Sequence, residues 1–370
     1  MQLLKKISNT VFLLFIFLLA ISASLNERFI QVVPLILLMA MFIPGVNRLI
    51  KLKIELYNKR TQVLLIVLFF ALYLFAGKYY VPTSIYKTPA DKKELMGLYN
   101  QFYKEWPAGT QEQTVNNSYG KIHLLVCGPA ASAPMLLFPA ENLSAVSWKE
   151  NIEVFSKNHR CYVIDPIGEA GKSQLSDLKL FPRTGKEIVH LYLEVADSLH
   201  LKKTAVAGVS AGARIAMLIA AQAPERVDSL FLIAPLGLTK PSNLLMWSTI
   251  APAMFPIPVL ERMCKNYLLD HPSEQIQSTY GKWIQAAIHG TISYSAYPNA
   301  IPNNELEKIT APSLVILAQK DQIAGFVKSQ RAVASKLAHV TVREVEGSHF
   351  LSIEHPEKVN HIIENYMNKR

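Results

Sequence analysis

Apolar positions along this 370-residue chain follow two regimes. Through residues 7–25, 29–46 and 61–81 they run almost unbroken, with hardly any charge between. A helix needs about 20 such residues to cross a hydrocarbon core. The third stretch is long enough, the first is adequate, and the second is short and interrupted by Gln31, Pro34 and Pro44. The segment 82–110 begins as a Pro-containing linker. Its Leu95, Leu98, Phe102 and Trp106 then recur at three- and four-residue spacing, predicting an amphipathic helix over 91–106. That helix would lie at a bilayer surface or pack on the domain that follows.

From Gln111 the pattern shifts to short apolar runs separated by helical text. Residues 113–117 and 121–128, around a turn at Ser118-Tyr119-Gly120, predict a β-hairpin. Further strands are predicted at 135–138, 161–164, 204–207, 229–234, 313–317 and 340–345. Helices are predicted between and after them, at 147–157, 186–199, 213–223, 324–337 and 356–367. Strands alternating with helices after an opening hairpin imply an α/β domain over 111–370, with a mostly parallel, helix-covered sheet. Residues 237–311 carry no strand pattern, and helix-like text there is broken by Pro252, Pro256 and Pro258. An insertion of this size predicts a helical cap over a site.

Charge refines the picture of the first third. The loop after the second apolar stretch holds Arg48, Lys51, Lys53, Lys59 and Arg60 against Glu55. With Lys5 and Lys6 it fits a cytoplasmic N-terminus and three spans, so everything beyond Val81 falls outside the cytoplasm. A cleaved signal peptide ending near Ser22-Ala23-Ser24 is the competing reading of the first stretch. Residues 1–81 hold nine Lys or Arg and two Glu, so most of the net charge of +10 belongs to this anchor. A basic surface for nucleic acid is therefore not indicated. Cys127, Cys161 and Cys264 show neither metal-ligand nor disulfide spacing, and the first two read as small buried hydrophobes. No metal or cofactor is expected, and oligomeric state is not legible.

Candidate chemistry centres on Gly208-Val209-Ser210-Ala211-Gly212, between an apolar strand and an Ala-rich helix. That context is what a nucleophile elbow requires, and the two glycines suit a turn too tight for a Cβ. A serine hydroxyl needs a neighbouring base, and the base needs a carboxylate to orient it. Asp321 and His349 follow in the required order, each just past a predicted strand. Ser210, Asp321 and His349 are thus the expected triad. The sequence 168–173 ends in Gly-Lys-Ser, but Pro166 stands where a phosphate loop needs glycine. It reads instead as a structural loop, with Asp165 stabilising it.

Taken together, Ser118–His123, Trp148, Asp165–Ser173, Gly208–Gly212, Ala223–Val227 and His349–Glu357 resemble the α/β-hydrolase superfamily. Within it the chain is most similar to bacterial carboxylesterases of the naproxen-esterase type. The resemblance covers some 260 residues and implies acyl-enzyme chemistry on Ser210. It departs from the family where a His-Gly pair after the third strand is replaced by Pro139-Ala140, followed by Glu141. One oxyanion-hole N–H is expected from Ala211. The second would come from Ala140 or Glu141, since proline has none to give. A Glu141 carboxylate would oppose developing negative charge unless it pointed away. The N-terminal anchor also lies outside the family pattern.

The expectation is a membrane-anchored serine hydrolase, carboxylesterase- or lipase-like, acting on a small-molecule or lipid ester outside the cytoplasm. A ligand sensor that keeps the fold without turnover, and an acyltransferase, are the alternatives.

Overall fold

The computed structural model describes residues 35, 63–72, 84–241, 259, 262, 278–292 and 299–369. The chain divides into two compact units, Met1–Thr83 and Ser84–Arg370. Among the described residues no helix is long and apolar enough to cross a membrane. The three expected spans fall mostly outside the described residues, and the structure does not support the anchor. What is described there is a helical segment at 63–72.

In the second unit, among the described residues, nine strands form one sheet. They are β1 (Gln111–Asn116), β2 (Gly120–Cys127), β3 (Ala133–Phe138), β4 (His159–Ile164), β5 (Gln174–Leu175), β6 (Thr204–Val209), β7 (Val227–Ile233), β8 (Ser313–Ala318) and β9 (Val340–Val345). Their order is β1-β2-β4-β3-β6-β7-β8-β9, with β5 paired to β2. The β1–β2, β2–β4 and β2–β5 pairings are antiparallel, and every pairing from β4 across to β9 is parallel. The helices are α1 (Pro89–Lys104), α2 (Ile152–Ser156), α3 (Gly185–Ser198), α4 (Ala211–Gln222), α5 (Tyr280–Gly290), α6 (Asn303–Leu306), α7 (Val327–Ala334), α8 (Leu351–Glu354) and α9 (Pro356–Met367).

Strand periodicity builds two cores. Val206, Leu230, Leu232, Val315 and Leu317 join Ile188, Leu191 and Met217 of α3 and α4 on one face. Ala205, Ala207, Phe231, Ile233 and Ile316 join Trp148, Phe155, Val359 and Ile363 on the other. Strand β6, between β3 and β7, is buried at all six positions. Parallel strands end at one edge, so residues that follow β6, β8 and β9 gather there.

Three helices differ from the sequence expectation. The predicted 147–157 helix is a 3₁₀ segment at Ala145–Glu150 followed by the single turn of α2, with Ser144 before it at φ 56°. The 324–337 helix is shortened to α7. Asp321 Oδ1 accepts the N–H groups of Ile323 and Ala324, both at 2.8 Å, and Gly325 lies at φ 96°. Gly325 in the left-handed region and Phe326 in an extended conformation, at φ −61° and ψ 129°, keep the preceding residues out of the helix.

The third is α1, which starts at Pro89 because Thr88 and Asp91 form a capping box over its first turn. It packs on the domain through Leu95, Tyr99 and Phe102, with the Phe102 ring 4.8 Å from that of Tyr280 in α5. Just before it, Lys87 N–H donates to the Gly290 carbonyl at 2.9 Å, and Tyr86 bridges Thr291. The compact unit therefore begins at Ser84, not at Gln111. Of the expected cap over 237–311, α5 and α6 are described, while 242–258 and 263–277 lie outside the described residues.

Cys127 and Cys161 are free, buried and directly opposite one another across β2 and β4. The thirty-three residues between them gave no hint of that adjacency.

Candidate active site

Ser210 occupies the junction of β6 and α4 at φ 54°, ψ −116°, a conformation that a residue with a side chain adopts only under constraint. The constraint is visible in the backbone. Ser210 N–H donates to the Ile233 carbonyl at 3.0 Å, and the Ser210 carbonyl accepts from Leu236 N–H at 3.1 Å. A Cβ on Gly208 would collide with the backbone of Gly212 and Ala213. A Cβ on Gly212 would collide with the carbonyl oxygens of Phe138 and Pro139. Both glycines are there because three backbone segments meet within one turn.

His349 follows β9 on a loop fastened by Ser348, whose hydroxyl donates to the Glu354 carboxylate at 2.7 Å. Its Nε2 lies 2.6 Å from Ser210 Oγ, and its Nδ1 lies 2.8 Å from Asp321 Oδ2. Asp321 follows β8, and its second oxygen is held by the Ile323 and Ala324 N–H groups. Asp321 Oδ2 thus faces His349 Nδ1, which selects the tautomer whose Nε2 accepts from serine. All three residues are buried, so the relay is shielded from bulk water.

The other expected site residues also reach this edge. Ala211 is the first residue of α4, where helix N–H groups lack intrahelical partners. Ala140 and Glu141 follow β3, and the contact of Phe138 and Pro139 with Gly212 brings that segment against the elbow. Among the described residues no cluster of His, Cys, Asp or Glu is arranged to hold a metal ion.

Two features escaped the sequence reading. One is a second His–Asp pair: His123 Nδ1 lies 2.9 Å from Asp165 Oδ2, and His123 Nε2 lies 2.9 Å from Glu112. Asp165 also accepts from the N–H groups of Ala145, at 2.7 Å, and Lys172, at 2.9 Å. It ties the loop after β4 to the turn after β3, the stabilising role its position suggested. Burial works against a charged His123, but Asp165 and Glu112 outweigh it and raise its pKa above 6.5. A raised folded value means the imidazolium contributes stability that is complete below the unfolded value and lost as pH rises through the folded one. The stability gap between the protein and its His123→Gln variant should therefore narrow with rising pH across that window. Urea midpoints at a series of pH values would read it, and a gap independent of pH would refute it. The second feature is Glu169, whose carboxylate accepts from Asn142 N–H at 2.6 Å. Partners 42 and 27 positions apart leave no pattern in a single sequence.

A family model described as the alpha/beta hydrolase fold matches residues 133–262. The chain has the α/β-hydrolase fold, and its likeness to esterases extends well beyond the matched segment. It is 23% identical over 287 residues to the uncharacterized carboxylesterase nap of Bacillus subtilis, spanning 73% of this chain and 91% of that protein. It is 25% identical over 270 residues to carboxylesterase YbfK of the same organism, spanning 71% of this chain and 89% of that protein. The crystal structure of naproxen esterase from Bacillus subtilis superposes with a TM-score of 0.69 at 21% identity, covering 76% of this chain and 99% of that one. The fold and the resemblance to these carboxylesterases are as the sequence motifs implied.

Proposed function

We propose that the protein is a serine hydrolase that cleaves a carboxylic ester through an acyl-enzyme on Ser210, held at a membrane by its N-terminal residues. The observation that carries the chemistry is the 2.6 Å contact of Ser210 Oγ with His349 Nε2, backed by Asp321 on His349 Nδ1. The carboxylesterase relatives support an ester as substrate.

The geometry lends itself to a two-stage reaction. His349 Nε2 takes the Ser210 proton as Oγ attacks the ester carbonyl, and Asp321 stabilises the imidazolium that forms. Negative charge moves to the carbonyl oxygen, where N–H groups of Ala211 and of Ala140 or Glu141 receive it. The imidazolium then protonates the leaving alcohol, freeing it and leaving the acyl group on Ser210. Water, deprotonated by His349, releases the acid by the same route.

The membrane reading rests on the apolar runs 7–25, 29–46 and 61–81 of the sequence; within the last of them, Val63, Leu64, Val67, Leu68, Phe70 and Leu72 of a helical segment are exposed. Ten helical residues rise about 15 Å, half of a hydrocarbon core. Phe326, in the segment that follows Asp321, is 86% exposed, and an apolar acyl or alcohol group as substrate would suit such a surface.

The test is turnover of p-nitrophenyl esters of increasing acyl length by the full-length protein in detergent micelles. Hydrolysis that increases in kcat/KM with chain length is the expected result; no hydrolysis at any length would sink the ester reading. Location is read separately, with a membrane-impermeant fluorophosphonate on intact cells. Labelling of intact cells supports an extracytoplasmic domain, whereas labelling only after lysis reverses the topology.

A further inference from the structure

The turn between β3 and the 3₁₀ segment is unusual for what holds it. Asn142 and Ser144 both lie in the left-handed region, at φ 58° and 56°. Neither is glycine, so the conformation persists only where neighbours impose it. Leu143 N–H closes the turn on the Ala140 carbonyl at 3.1 Å. The Asn142 residue is then gripped from two other parts of the fold. Glu169, on the loop after β4, accepts its N–H at 2.6 Å. Trp283, buried in α5, donates its Nε1–H to the Asn142 carbonyl at 2.7 Å.

We propose that Glu169 and Trp283 are positioning residues for ester cleavage, clamping Asn142 by its N–H and its carbonyl and so holding the 140–141 backbone against the Ser210 elbow. The proposal rests on the ester-hydrolase reading above. Neither residue touches the reacting atoms. They act through the segment that must present an N–H to the developing oxyanion, where small displacements are costly. The clamp also joins that segment to α5, on which Tyr99 and Phe102 of α1 pack.

Electrostatics add a condition. The titratable groups acting on Glu169 are Glu141 on the turn, Asp165 on its own loop and Tyr192 on α3. Burial, and after it the Glu141 carboxylate, push the Glu169 carboxyl up to about 8; Asp165 adds to this and the Asn142 N–H opposes it. At neutral pH the clamp therefore carries a proton and adds no negative charge beside the oxyanion. Above that range it ionises, and the rate should fall. The same shift makes the folded state hold a proton that the unfolded chain releases near 4.5, so Glu169 lowers stability progressively as pH rises between the two values.

The experiment compares Glu169→Gln, Glu169→Ala and Trp283→Phe in the full-length protein. Steady-state p-nitrophenyl ester kinetics are run across neutral and alkaline pH, with hydrogen exchange followed over residues 139–144. Gln keeps an oxygen acceptor and cannot ionise, so E169Q should retain kcat at neutrality and lose the alkaline fall. E169A and W283F should lower kcat by about tenfold or more with KM nearly unchanged, and should speed exchange in the turn. The clamp is overturned if E169A exchanges and turns over as the parent does, or if E169Q keeps the alkaline fall. Should the parent turn over no ester at all, the hydrolase reading fails. The exchange arm then still decides whether Glu169 and Trp283 hold the turn.

Discussion

Replacing Gly212 with alanine is expected to destroy the elbow. The new methyl would sit inside the carbonyl oxygens of Phe138 and Pro139, both backbone atoms that no rotamer change can move. Relief requires α4 to withdraw from the end of β3. That movement would break the parallel register in which Phe138 pairs with Gly208, and would displace the segment carrying Ala140. A buried backbone clash of this kind belongs with the severe substitutions, costing about 4 kcal/mol or more. Loss of the transition at the parent's urea midpoint, or recovery of the protein only as aggregate, is the outcome to look for. A G212A protein with the parent's midpoint would show that the elbow is looser than these contacts require. Gly185, where an added Cβ would meet only side-chain atoms of Leu218 and Gln222, serves as a milder comparison.

Changing Asp321 to asparagine should leave the fold intact and cut kcat by about 10⁴-fold. The amide oxygen is expected to keep accepting from Ile323 and Ala324 N–H, since that pair offers two donors to one atom. The amide nitrogen is then left facing His349 Nδ1, and it donates where the carboxylate accepted. The imidazole answers by moving its proton to Nε2, the nitrogen that must accept from Ser210. The effect should fall on kcat, with an unaltered thermal midpoint. A loss of stability parallel to the loss of rate would instead mean that Asp321 serves mainly to cap the loop before α7.

The site was legible where chemistry and topology coincide. Glycine at 208 and 212 announced a crowded turn. Asp321 and His349 could be picked from the chain because each follows an apolar run, and parallel strands deliver such positions to one edge. Contacts among residues far apart in sequence were not legible. Nothing in the pattern around Glu169 points to Asn142, and nothing around His123 points to Asp165. The 324–337 helix was drawn too long because apolar spacing cannot reveal that Gly325 turns into the left-handed region and Phe326 is extended, so that the helix starts only at Val327. The 91–106 periodicity gave a buried face correctly but could not say what buries it. The answer, α5, lies nearly two hundred residues away.

The central claim is an activated Ser210, and active-site labelling tests it most directly. The full-length protein and its Ser210→Ala variant would each be treated with a fluorophosphonate and digested, and the adduct mapped by mass spectrometry. An activated serine predicts one adduct, on Ser210, formed in the parent, absent from S210A and suppressed when His349 is replaced by alanine. An unlabelled parent, or equal labelling of the two proteins, would contradict the account.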